Sequence, residues 1–141
     1  GDLVLISSGG MRFDPPPLPV LLPENVDEAR RSLPYLFHDP PDPPDFVLSI
    51  AAARPMTGST QLLRSALSGE YMLEGLLSGM TSRTFVLWGA EDRLIPPEVG
   101  RRMAAAIPGA EHREIPEAGH MVPWSKPRET AEAILAFLGP A

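Results

Sequence analysis

The chain has 141 residues, of which 43% are apolar and 21% charged, with a formal net charge of −6 and no cysteine. That is enough for one domain with a real core, and its acidic balance argues against nucleic acid as a partner. Disulfides, thiolate chemistry and cysteine-ligated metals are excluded within it, and no apolar run approaches the roughly 18 residues of a membrane span, so a soluble protein without one is expected.

Leu3-Val4-Leu5-Ile6 is a continuous apolar run, the pattern of a central parallel strand covered on both faces. It starts almost at the first residue, with no turn before it. The expectation is that something upstream was cleaved, truncated or supplied as another chain. Ser7-Ser8-Gly9-Gly10 ends the strand. Ser7 or Ser8 is a conceivable nucleophile, but no helix-opening pattern follows to build a tight elbow, and a polar strand exit is the favoured reading.

Proline is unusually abundant, 18 residues against a typical share of about 5%. Much of it lies between Met11 and Asp45. FDPPPLPVLLP cannot be a central strand or a helix interior, because proline lacks an amide proton and fixes φ. Asn25 reads as an N-cap with Glu28 as its capping-box partner. Val26, Ala29, Leu33, Leu36 and Phe37 follow helical spacing, and Pro34 is expected to kink or split that helix. HDPPDPPD, His38 to Asp45, is a second stiff linker leading into a helix near Phe46 to Ala53. His38, Asp39, Asp42 and Asp45 have ligand chemistry but no ligand spacing, so solvated turn residues are expected and metal binding is not. Two more short helices are expected over Thr57–Leu67 and Glu70–Met80. Short helices with proline joints between two strands suggest a lid inserted over a sheet edge.

The last third carries the organised pattern. Thr84 to Trp88 suits a buried parallel strand, and Gly89-Ala90-Glu91-Asp92-Arg93 leaves it. A helix starts at Pro96 or Pro97, with Val99, Met103, Ala106 and Ile107 facing inward and Pro108-Gly109 as the stop. His112 to Ile115 is a further strand, and Pro116 to His120 its exit loop. Ser125 reads as the cap of a last helix that faces inward through Ala131, Ile134, Leu135 and Leu138. Successive strand–helix units imply an α/β fold with a parallel sheet, whose ligands bind beyond the C-terminal strand ends. Asp92 and His120 both lie in loops leaving those ends. A carboxylate beside an imidazole fixes its tautomer and stabilises the imidazolium formed when it takes a proton; the alternative is two loop residues with structural roles.

GAEDRLIPP, followed by IPEAGHMVPWSKP and an amphipathic helix, resembles the C-terminal half of α/β-hydrolase fold enzymes. The match is closest to the lidded esterase, lipase and carbon–carbon-bond hydrolase branch; proline-aminopeptidase-like enzymes are another capped branch. The resemblance implies the later half of an α/β-hydrolase parallel sheet, with residues 1–12 and 82–141 as core and 13–81 as helical cap. It implies Asp92 as triad acid and His120 as triad base. Met121, Val122 and Trp124, flanking the histidine, are candidate pocket residues; packing of the loop is the alternative and the favoured role. No G-x-S-x-G occurs in the sequence, and Ser59, in the expected lid without an apolar strand before it, is no substitute. The nucleophile, the oxyanion loop and a neighbour for the sheet edge are therefore expected from a complementary N-terminal hydrolase chain or segment. The implied activity is hydrolysis of a small-molecule ester, amide or peptide without a cofactor. Carbon–carbon-bond, epoxide or halide hydrolysis is an alternative on the same fold, and a non-catalytic binding domain is the alternative from another class.

Overall fold

A computed structural model describes residues 1–15, 22–53 and 72–139. The expected helix at Thr57–Leu67 and Ser59 lie outside the described residues.

Three strands, β1 (Asp2–Ile6), β2 (Arg83–Gly89) and β3 (Glu111–Ile115), form one parallel sheet in the order β1-β2-β3. Leu5 lies opposite Val86, and Gly89 lies opposite Ile115. β2 is the centre, buried from Thr84 through Gly89. Its side chains alternate between faces, so one strand seeds two cores. Val86 and Trp88 join Val99 and Met103 of α3 (Pro97–Ala106) and Ile107 just after it, together with Met11 and Leu77. Phe85 and Leu87 join Ile115, Ala118, Val122, Ala133 and Phe137 on the other face. Helices thus cover both faces, as a parallel sheet requires. Each fully buried large side chain stabilises this arrangement by about 1.5–3 kcal/mol.

The apolar run of β1 was expected to be central and fully covered. Among the described residues it has β2 as its single neighbour, and Leu3 to Ile6 are only half-buried. One hydrogen-bonding edge of β1 is therefore open among the described residues.

The final helix differs from expectation in its start and in its inward face. A single turn, α4 (Val122–Ser125), precedes α5 (Pro127–Leu138), whose N-cap position is Lys126 rather than Ser125. α5 buries Thr130, Ala133 and Phe137, whereas Ala131 and Leu138 are exposed and Leu135 is 65% exposed. One aromatic anchor decides the rotation. Phe137 stacks on Phe85 with centroids 5.2 Å apart, and the Arg83 guanidinium lies 4.2 Å over its ring. Thr130 tolerates burial because its hydroxyl donates to Lys126 O at 2.7 Å.

Between β1 and β2 the described residues form α1 (Val26–Leu36) and α2 (Asp45–Ala53). Asn25 caps α1, its Oδ1 accepting the Glu28 amide at 2.9 Å; Glu28 reaches back to the Glu24 amide rather than to Asn25. Pro34 does not split α1. It sits two positions before the last residue of the helix, Leu36, where the one amide it lacks would have served Arg30 O. Asp42 and Asp45, weighed above as metal ligands, are ion partners of Arg30 and tie the proline linker to α1. The expected helix at Glu70–Met80 is, in its described part, a turn followed by a 3-10 helix at Leu77–Gly79. Arg102 of α3 holds the β1–β2 connection at two points, donating to Arg12 O and to Glu74 Oε1.

Candidate active site

β2 and β3 end side by side, so their exit loops start as neighbours. The β2 exit turns at once, Asp92 N–H donating to Gly89 O at 3.2 Å, and Ala90 N–H donates to Ile115 O at 3.0 Å. Asp92 then folds its side chain back over its own loop. Its Oδ1 accepts the amides of Leu94 and Ile95, each at 2.9 Å, while Trp88 Nε1 donates to Ile95 O at 2.9 Å from the core below. Three donors therefore surround a carboxylate that is buried, and two of them are backbone amides fixed by the turn.

The third donor is His120. Its Nδ1 lies 2.9 Å from Asp92 Oδ2. An ionised carboxylate only accepts, so Nδ1 carries the proton of the neutral ring and Nε2 keeps its lone pair. This is the tautomer of a general base. The Asp92 side chain is fully enclosed, whereas the histidine keeps one fifth of its side chain exposed. The structure thus brings together the two residues singled out from the sequence.

The histidine loop is held in a conformation its sequence resists. Glu117 has φ +54, the left-handed region that disfavours side chains, and its carboxylate pairs with Lys126 Nζ at 2.9 Å. That bond holds the Glu117 carboxyl below its usual range and the Lys126 ammonium above its own. Glu91 joins the two loops twice: its amide donates to Ala118 O at 3.0 Å, and its Oε2 accepts the Ala118 amide at 3.1 Å. On the far side, Met121 N–H donates to Leu36 O at 2.9 Å, so the end of α1 lies against the same loop. Glu91 and this contact were not singled out from the sequence, because no periodicity or spacing marks a bond between loops.

Of the two roles open to Val122, the structure shows packing: it is fully buried in the second core, because α4 turns it down onto the sheet. Met121 is at the surface, and Trp124 is 74% exposed. Trp124 does border a groove of about 670 Å³, with Phe37, His38, Glu117 and Lys126 among its other walls; Asp92 and His120 are not in that lining. Ser7, at the C-terminal end of β1, shares the sheet end with the Asp–His pair and has φ +42. It is 7% exposed, and its hydroxyl bonds to nothing among the described residues, His120 included. Ser8 is half-buried. No helix among the described residues is long and apolar enough to cross a membrane.

Comparison with known proteins places the fold. The chain is 35% identical over 63 residues to a 2-hydroxy-6-oxononadienedioate/2-hydroxy-6-oxononatrienedioate hydrolase of Cupriavidus pinatubonensis, a match covering 45% of this chain and 22% of that protein. Its fold matches a membrane phospholipase A, a bacterial virulence factor, with a TM-score of 0.80 at 23% identity, over 97% of this chain and 48% of the other. It also matches a meta-cleavage product hydrolase from Pseudomonas fluorescens IP01, with a TM-score of 0.75 at 17% identity, over 96% of this chain and 54% of the other. The chain therefore spans about half the length of these solved structures and aligns with less than a quarter of the curated relative. The model of the alpha/beta hydrolase family matches residues 1–133, and the chain belongs to that family.

Proposed function

We propose that this chain is the acid- and base-bearing part of a serine hydrolase cleaving an ester or related acyl bond, with Asp92 and His120 acting on a serine outside residues 1–141. The observation that carries the reading is the 2.9 Å bond from His120 Nδ1 to the enclosed Asp92 carboxylate. It leaves Nε2 as the one basic atom of the pair. In this reading His120 Nε2 takes the proton of the serine hydroxyl as the oxygen attacks the acyl carbon, and Asp92 stabilises the imidazolium. The proton then passes to the leaving group, and water repeats the sequence to free the enzyme. None of these steps requires a cofactor.

The nucleophile and the oxyanion donors come from a complementary N-terminal hydrolase segment, on the same chain or another. Two observations support this: the sequence lacks G-x-S-x-G, and the fold matches about half of each related structure. The open edge of β1 is where such a segment would add its strand. Residues 13–81 serve as the cap, and Met121 and Trp124 are surface groups near the histidine that can meet substrate.

Carbon–carbon-bond hydrolysis is the second reading, favoured by the activity for which the Cupriavidus relative is named. The same His120 and Asp92 would serve it, with the substrate's carbon chain rather than an alkoxide as leaving group. The test is labelling of the protein, reassembled with a strand–G-x-S-x-G–helix segment, by a fluorophosphonate probe. Labelling that is lost in His120→Ala is the expected result. An intact elbow that takes no label overturns the reading. Turnover of a p-nitrophenyl ester against a vinylogous diketo acid then separates acyl from carbon–carbon cleavage.

A further inference from the structure

The Ala118 amide is two residues from His120, in a loop without ladder or helix partners. Ala118 is fully buried, and a buried amide left unpaired is strongly unfavourable. Its partner is the carboxylate of Glu91, 27 positions earlier and next to Asp92. The same residue's amide donates to Ala118 O, so Glu91 grips the peptide units on both sides of Ala118. The gripped residue follows Glu117, whose φ of +54 is a conformation the chain would leave if released. Relaxation there would carry His120 with it, because only Ala118 and Gly119 intervene.

We propose that Glu91 is a positioning residue for the Asp92–His120 pair: by holding the Ala118 amide it fixes the left-handed turn that keeps His120 Nδ1 on Asp92. The inference rests on the reading of that pair as acid and base. Glu91 touches neither ring nor substrate and acts through Ala118. Its role depends on reach rather than on charge, because what Ala118 requires is an acceptor at 3.1 Å. An aspartate keeps the charge but withdraws the acceptor by one C–C bond, about 1.5 Å. A glutamine keeps the reach through its amide oxygen and drops the charge.

The test is NMR on the ¹⁵N-labelled protein at neutral pH. It follows the low-field proton of the His120 Nδ1–Asp92 bond and hydrogen exchange of the Ala118 amide. Glu91→Ala and Glu91→Asp are expected to lose the low-field resonance and to speed Ala118 exchange by about tenfold or more, since exchange through local opening follows the free energy that holds the amide closed. Glu91→Gln is expected to retain both. Should the alanine variant fail to fold, the aspartate–glutamine pair decides alone. Retention of the resonance in Glu91→Asp overturns the proposal, as does equal loss in Glu91→Gln and Glu91→Asp. Neither readout needs substrate or nucleophile, so failure here is distinct from a failure of fluorophosphonate labelling.

Discussion

Gly89 and Gly119 cross with no room between them. A Cβ on Gly89 would lie 2.2 Å from Gly119 O and 2.4 Å from Ala118 O. Gly89 ends the strand that feeds the acid loop, and Gly119 precedes the base. The absence of one side chain therefore lets the two loops approach closely enough for His120 to reach Asp92. Gly119 is confined on its other side too, where a Cβ would stand 2.8 Å from Leu36 O.

The first prediction follows from that crossing. The atoms meeting a Cβ at 89 are backbone oxygens, which cannot rotate away as the end of a side chain can. Gly89→Ala should destabilise the fold by about 1–3 kcal/mol or more, the usual range for overpacking. It should also displace the histidine loop. Gly79→Ala is the control, because nothing lies within 4 Å of a Cβ there. It should stay within about 0.5 kcal/mol of the parent. Urea unfolding midpoints measure both. Equal midpoints for the two variants would show that the loops have slack.

The second prediction separates the two oxygens of Asp92. Oδ1 holds the Leu94 and Ile95 amides, and Oδ2 holds His120. Asp92→Asn can keep its oxygen on the two amides, so the loop should persist with little change in the unfolding midpoint. Its NH₂ would then face His120 Nδ1, which must accept, and the ring proton moves to Nε2. A base protonated at its working nitrogen cannot take a proton. Hydrolysis by the nucleophile-bearing assembly should fall by about 10⁴-fold. Asp92→Ala should add a stability loss of about 1–3 kcal/mol, because buried donors lose their acceptor. An asparagine variant retaining a tenth of the activity would mean that Asp92 does not set the tautomer.

What the sequence made legible, and what it did not, divides along physical lines. β2 was readable because burial on both faces leaves a continuous apolar run, and Asp92 and His120 because loops leaving neighbouring parallel strands converge at one sheet end. The Asn25 cap was readable because it is a bond over three residues. The inward face of α5 was misread. Aliphatic spacing favoured Leu135 and Leu138, whereas the helix turned to place Phe137 on Phe85 and Arg83, partners more than fifty positions away. The sequence left Val122 open between pocket and packing, because the one-turn α4 sets its direction and a single turn has no period to detect. Glu91 was passed over because a carboxylate accepting a distant backbone amide has no signature in local sequence.

The last prediction concerns pH. His112 on β3 has its Nε2 buried with no hydrogen-bond partner among the described residues. Burial pushes its pKa below the ordinary value, since the charged ring would lose its water. Glu114, with Oε1 at 3.8 Å, opposes this, but its carboxylate is already paired with Arg101, whose Nη2 donates to Oε2 at 3.1 Å and whose positive charge adds to the lowering. The folded state thus binds the His112 proton less readily than the unfolded chain, whose histidine titrates near about 6.5. Stability from the neutral ring is complete above that value. It falls as the pH drops through about 6.5 toward the lower folded pKa, because the unfolded state there takes up more proton. Paired carboxylates such as Asp2, held low by its bond to Arg83, lose their contribution in a more acid window, so the two effects separate. His112→Gln should therefore narrow its stability deficit relative to the parent, or turn it into an advantage, between pH 7 and 5. Urea unfolding of both proteins across that range measures it, and parallel curves would mean that His112 is as free to protonate in the fold as outside it.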